Sequence, residues 1–68
     1  TFEEWAAFHD AVESLPEEQR QIVDLLWYDG LTQPEAANVM GVSLKTVKRR
    51  WQSARLLLRS KLSESDFT

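Results

Sequence analysis

The chain has 68 residues, of which 43% are hydrophobic and none is cysteine. This length allows one small domain without room for a large catalytic cleft, and the lack of cysteine excludes disulfides and thiolate metal sites. No apolar run reaches the roughly 18 residues of a membrane-spanning helix, and no signal peptide is evident. We therefore expect a cytoplasmic protein without a membrane partner, and its first residue, Thr1 rather than Met, suggests a piece of a longer protein.

Charge is divided unevenly along the chain, although the total is only −3. Residues 1–42 hold nine acids and one basic side chain, whereas residues 43–68 hold seven basic side chains and two acids. Binding to a polyanion depends on where the charge lies rather than on the total. The second segment is therefore a candidate for contact with nucleic acid.

The first half of the chain predicts two helices, because apolar residues recur at helical spacing and no strand pattern stands out. Pro16 separates a helix over 2–14 from a second helix over 16–29. Gly30 is expected to end the second helix in a left-handed conformation. Five apolar residues are expected to line one face of the first helix, namely Phe2, Trp5, Phe8, Val12 and Leu15.

A capping box marks the start of a third helix. Thr32 is its N-cap and Glu35 lies three residues later, which is the spacing that the reciprocal side-chain bonds require. The helix is predicted over 33–40, where Gly41 ends it with a second left-handed cap.

Ser43 caps a fourth helix, which contains no Gly or Pro and is predicted over 44–61. The polar residues 63–68 are expected to form a disordered tail. The domain is thus predicted to span residues 1–62.

A short helix, a glycine turn and a longer second helix are typical of a helix-turn-helix. We therefore predict an all-α, four-helix domain of the helix-turn-helix DNA-binding class, related to winged-helix proteins but without a wing. Helical spacing gives the fourth helix a buried stripe, which makes Trp51 a core residue rather than a base-stacking one. The stripe consists of Leu44, Val47, Trp51, Ala54 and Leu58.

The opposite side of the fourth helix carries side chains suited to DNA. The second helix of this motif enters the major groove, where Lys and Arg donate to guanine and Gln pairs with adenine. A basic helix face is often merely solvated, but here it accompanies two caps, a glycine turn and a separate apolar stripe. Base contacts are predicted for Lys45, Lys48, Arg49 and Gln52. Phosphate contacts are predicted for Thr32, Gln33, Thr46, Arg50 and Arg55.

Residues 15–62 resemble region 4 of bacterial RNA polymerase sigma factors, above all the extracytoplasmic-function (ECF) group. The matching features are Leu15-Pro16, Gln19-Arg20, Gly30-Leu31-Thr32, Glu35, Ala37, Gly41-Val42, Thr46-Val47-Lys48, Arg50 and Ala54-Arg55. The resemblance implies promoter binding at the −35 element by the last helix. It also implies contact with the flap of the polymerase β subunit, and it allows contact with an anti-sigma factor.

The sequence leaves two alternatives open. Output domains of response regulators and quorum-sensing regulators carry a similar glycine, Thr-Val-Lys and closing Lys-Leu, so a helix-turn-helix of that type is one alternative. The other is a protein-interaction module that binds an anti-sigma factor or the polymerase without independent DNA binding.

An enzyme is not expected. His9 is the only histidine and occupies a surface-like position, and the two glycines form no phosphate-binding loop. We expect no cofactor or metal, and a monomer.

Overall fold

Four helices make up the part of the chain that the structure describes. The computed structural model describes residues 1–66, and that range contains no β-strand. The prediction of an all-α, four-helix domain is therefore confirmed. The helices are α1 (Phe2–Glu13), α2 (Glu17–Val23, continued by a π-helical turn at Asp24–Tyr28), α3 (Gln33–Met40) and α4 (Leu44–Asp66). None of these helices combines the length and apolar composition that a bilayer crossing requires.

The end of α2 differs from the uniform helix predicted over 16–29. Its last five residues, Asp24–Tyr28, form a π-helical turn, closed by a 2.9 Å hydrogen bond from the N–H of Asp29 to the C=O of Asp24. Gly30 then ends the helix with φ 72°, as predicted. The π turn is wider than an α-helical turn and changes the direction of the side chains that follow.

The turn between α3 and α4 has the predicted geometry. The N–H of Thr32 donates to Oε1 of Glu35 (2.9 Å), and the N–H of Glu35 donates to Oγ1 of Thr32 (3.2 Å). Gly41 has φ 69°, and the N–H of Val42 donates to the C=O of Ala37 at 3.1 Å. These bonds satisfy several of the free backbone groups at the two ends of the short helix and fix the direction in which the chain enters α4.

The fourth helix begins as predicted but ends later. The N–H of Thr46 donates to Oγ of Ser43 at 3.1 Å, which confirms the cap. The predicted end near residue 61 is wrong, because α4 continues to Asp66. No Gly or Pro interrupts this stretch, so nothing in the local sequence stops the helix. The predicted disordered tail over 63–68 is helical as far as Asp66, and residues 67 and 68 lie outside the described part of the chain.

The core consists of two clusters that share α4. The first joins α1, α2 and α4, and its buried members are Ala11, Val12, Leu15, Val23, Ala54 and Leu58. The second joins α2, α3 and α4, and its buried members are Ile22, Ala36, Ala37 and Val47. Trp51 is half-buried and packs against both clusters, as expected of a core residue.

Three apolar residues of the predicted helix faces are exposed: Leu44, which was predicted to be buried, and Phe2 and Trp5 of the apolar face of α1. Leu44 is 39% exposed because it begins α4 and lies one turn before the first buried position, Val47. Phe2 and Trp5 are 80% and 57% exposed. Only the second half of α1 packs in the core, so the first turn of this helix extends beyond it.

Candidate nucleic-acid interface

The four residues predicted to contact bases lie on one exposed face of α4. Positions three and four apart share a helix face, and Lys45, Lys48, Arg49 and Gln52 follow that spacing and are all exposed. Val47 and Ala54, on the opposite side, are completely buried. The structure therefore brings these four side chains together and separates them from the core. We call them the reading face.

A groove of about 540 Å³ runs beside the reading face and joins α3 to α4. It places Gln33, at the first position of α3, near Lys48, Gln52 and Arg55. Three further lining residues, Trp51, Leu56 and Arg59, were not among the predicted contacts. Leu56 lies four residues after Gln52, so helical spacing alone could have placed it here. We call this surface, lined by Gln33, Lys48, Trp51, Gln52, Arg55, Leu56 and Arg59, the recognition groove.

Thr46 and Arg50, two of the predicted phosphate contacts on α4, have side chains that face different neighbours. The hydroxyl of Thr46 accepts a hydrogen bond from Oγ of Ser43 at 3.0 Å, so its own proton remains able to donate to a phosphate. Arg50 points toward α2, where its Nε lies 3.7 Å from Oε2 of Glu18. Its side chain is only 20% exposed, and Nε is buried without a hydrogen-bond partner. The phosphate contact of Arg50 stays a prediction, although its Nε is directed toward α2.

The start of α3 offers fewer free amides than the sequence suggests. The amides of Thr32 and Glu35 are engaged in the capping box, and Pro34 has none. Among the first backbone groups of α3, the amide of Gln33 therefore remains for a phosphate. The N–H and hydroxyl of Thr32 also hydrogen-bond the Glu35 carboxylate and hold its pKa below the ordinary value of 4.5, so this group stays negative.

The comparison with protein families identifies the architecture. Residues 5–58 match the family model described as Sigma-70, region 4. The chain belongs to the sigma-70 region 4 family. No curated protein matches it. In sigma factors region 4 is a helix-turn-helix domain that binds promoter DNA, acts together with RNA polymerase and has no enzymatic activity. The resemblance read from the sequence is thus confirmed at the level of the family.

A second surface of this region 4 domain is aromatic. His9 stacks on Trp5 with ring centroids 5.3 Å apart and planes 5° apart, and its Nδ1 lies 3.2 Å from the hydroxyl of Tyr28. His9 thus connects α1 to the π turn, although the sequence indicated no role for it. Burial, followed by the nearby charges of Asp24 and Glu13, raises the pKa of Tyr28. We call Phe2, Trp5, His9 and Tyr28 the aromatic surface.

An apolar cleft of about 290 Å³ separates α1 and the π turn of the region 4 domain from the later part of α4. The rings of Phe8 and Trp27 meet there at 5.4 Å. The cleft is lined by Phe8, Val23, Trp27, Trp51, Leu58 and Leu62, with Arg55 and Arg59 as its charged residues. Among the side chains of residues 1–63, which the structure describes, no group of three or more His, Cys, Asp or Glu is arranged to hold a metal ion.

Proposed function

We propose that this domain recognises the −35 element of promoters, as the C-terminal domain of an ECF-type sigma factor in transcription initiation. The observation that carries the proposal is the reading face, where four long donor side chains lie together on a capped helix. An α-helix with its side chains is about 10–12 Å wide and matches the roughly 12 Å major groove. The family match supports promoter binding in general.

The side chains divide into two roles. Lys45, Lys48, Arg49 and Gln52 would contact base edges. Thr46 and Arg55 on α4, together with the side chain and amide of Gln33, would contact phosphates and fix the register on the duplex. Thr32 would contribute mainly as the cap that orients Gln33, because its amide is engaged with Glu35.

The uneven charge distribution supports a single orientation on DNA. Seven of the eight basic side chains lie in residues 43–68, whereas nine of the eleven acids lie in residues 1–42. Phosphates would attract α4 and repel the acidic helices α1 and α2. The aromatic surface, on those acidic helices, is then free for protein.

We further propose that the aromatic surface contacts the flap of the polymerase β subunit, and that an anti-sigma factor also binds the domain. Exposed Trp and Tyr side chains are enriched in protein interfaces. The domain would act as a monomer in the cytoplasm, where promoter and polymerase are found, and would bind without catalysing a reaction or using a cofactor.

The first experiment measures binding of the chain to duplexes selected from a randomised pool, with fluorescence anisotropy at several salt concentrations. Arg49→Ala should lower the affinity by about 1–3 kcal/mol and relax the preference at one base pair. Arg20→Ala, which changes an arginine on α2, is the matched control and should leave the affinity within about twofold. Equal effects of the two variants would show that the reading face does not read sequence.

The polymerase contact is tested by two-dimensional NMR with the isolated tip of the β flap. The flap should shift resonances of α1 and the π turn, a duplex should shift those of α4, and Trp5→Ala should weaken only flap binding. A domain that responds to the duplex alone would refute the proposed flap contact. A response to the flap alone would favour an interaction module without independent DNA binding.

A further inference from the structure

Two long polar contacts join α2 to α4. The Nε of Arg50 lies 3.7 Å from Oε2 of Glu18. Beside this pair, Nε2 of Gln19 donates to Oγ of Ser53 at 3.4 Å. Arg50 and Ser53 are three residues apart and therefore share one edge of α4. Both distances exceed those of well-formed hydrogen bonds, so these polar groups hold the two helices together only loosely.

The ion pair leaves Arg50 incompletely satisfied. An N–H···O hydrogen bond joins atoms about 2.7–3.2 Å apart, so the 3.7 Å separation is an ion pair without a hydrogen bond. The Nε atom is buried and has no hydrogen-bond partner among the described residues. A buried N–H group of a charged side chain is unfavourable when it lacks an acceptor. A ligand oxygen that accepted this bond would therefore gain over the present contact.

Glu18 can release Arg50 at little cost. The Glu18 side chain is 65% exposed, whereas that of Arg50 is 20% exposed. Water hydrates an exposed carboxylate and weakens its attraction to a cation. Arginine also favours a planar, bidentate contact with two oxygens of a carboxylate or phosphate, which the single contact with Oε2 does not supply.

Thr46 marks the place where a phosphate can meet Arg50. The two residues are four positions apart on the same edge of α4, with a rise of about 6 Å between them. The hydroxyl of Thr46 accepts a hydrogen bond from Oγ of Ser43, so its own proton can donate to a phosphate. The long side chain of Arg50 spans one helical turn, and the same phosphate therefore lies within its reach.

We propose that Arg50 exchanges partners when the domain binds DNA. In the free domain its guanidinium group pairs with Glu18, and in the complex it leaves this carboxylate for the promoter phosphate beside Thr46. The exchange rests on the proposed DNA-binding function. Glu18 is then a positioning residue that competes with DNA. Because a phosphate carries no sequence information, this competition lowers the affinity for every duplex alike.

Fluorescence anisotropy with the preferred duplex and a scrambled duplex measures the competition. Glu18→Gln removes the competing charge and should raise the affinity for both duplexes about two- to fivefold, the range that follows from the strength of exposed ion pairs. Glu17→Gln is the matched control. It removes the same charge one residue away, from a side chain without an ion pair in the part of the chain that the structure describes. Its effect should be smaller than that of Glu18→Gln.

Arg50→Gln separates the exchange from general repulsion between the carboxylates and DNA. The slope of log affinity against log salt concentration should become less steep by about 0.9, which is the contribution of one phosphate contact. In this background Glu18→Gln should raise the affinity no more than Glu17→Gln does, because no guanidinium group remains to be released. Circular dichroism of each variant without DNA controls for loss of the fold.

The nitrogen–proton resonance of Arg50 Nε reports the exchange in the unchanged protein. NMR assigns it through the carbons of its own side chain, so this measurement does not depend on the folding of an Arg50 variant. Glu18→Gln should shift the resonance in the free domain. A duplex should move its proton downfield as the missing hydrogen bond forms.

The outcomes decide between an exchanged and a fixed ion pair. An Nε resonance that the duplex leaves unchanged, or an effect of Glu18→Gln no larger than that of Glu17→Gln, would show that the pair is a fixed support of α4. A rise in affinity confined to the preferred duplex would refute a phosphate partner. Failure of the unchanged protein to bind any duplex would overturn the proposed function together with the exchange. Normal duplex binding with a fixed Nε resonance would overturn the exchange alone.

Discussion

Replacing Gly41 by alanine should destabilise the domain modestly rather than unfold it. Its φ of 69° is left-handed, and an L-residue in that conformation is less stable by about 1–2 kcal/mol. A Cβ added at Gly41 would meet no atom within 4 Å, so no steric clash adds to this strain. Alanine also restricts the unfolded chain, which offsets about 0.4–1 kcal/mol. The free energy of unfolding should therefore fall by about 1 kcal/mol in Gly41→Ala. It should fall further in Gly41→Val, because the valine side chain is branched.

Thermal unfolding followed by circular dichroism measures this effect. A loss of 1 kcal/mol lowers the Tm of a domain of this size by about 4–8 °C. Gly30→Ala is a matched comparison, because Gly30 has φ 72° and also has open space around its Cβ position. Gly41→Asn should lower the Tm less than Gly41→Ala does, since asparagine tolerates a left-handed backbone conformation. An unchanged Tm, or a loss above about 3 kcal/mol, would show that strain at Gly41 does not control the turn.

Two further changes test the capping box and the core. Glu35→Gln keeps a side chain that can form the capping box but removes a negative charge near the predicted phosphate contacts. The affinity for a duplex should therefore rise at low salt. An unchanged affinity would show that Glu35 lies away from the DNA. The folded-state pKa of Glu35 is lowered, so its carboxylate stabilises the fold above about pH 4.5 and loses this effect as pH falls through the folded pKa. Acid titrations should therefore show that Glu35→Gln loses less stability than the unchanged protein over that pH range. Val47→Ala, at a fully buried site, should lower the free energy of unfolding by about 2–3 kcal/mol. Val39→Ala, at a 64% exposed site, should lower the free energy of unfolding by less than about 0.5 kcal/mol. If urea denaturation showed similar losses for Val47→Ala and Val39→Ala, the assignment of Val47 to the core would be wrong.

Features set by local chemistry could be predicted from the sequence. The capping box of Thr32 and Glu35, the left-handed conformations of Gly30 and Gly41 and the cap at Ser43 all depend on neighbours within a few residues. The exposure of the reading face could also be predicted, because helical spacing separates its residues from the buried side of α4.

Features set by distant contacts could not be predicted in the same way. Arg50 resembles its basic neighbours in sequence, and only the position of α2 shows that it meets Glu18. Trp5 follows the apolar spacing of α1, but the helix extends beyond the core at that point. The π turn has no sequence signature that separates it from an ordinary helical turn.

The separation of the two sides of α4 has a consequence for how this domain can diverge. Exposed polar side chains that touch no buried cluster can be exchanged at little cost to folding. New combinations at positions 45, 48, 49 and 52 are therefore open to selection while Val47 and Ala54 remain fixed beneath them. Under the proposed function, duplicated copies of the domain could acquire different promoter preferences by a few substitutions and still fold in the same way.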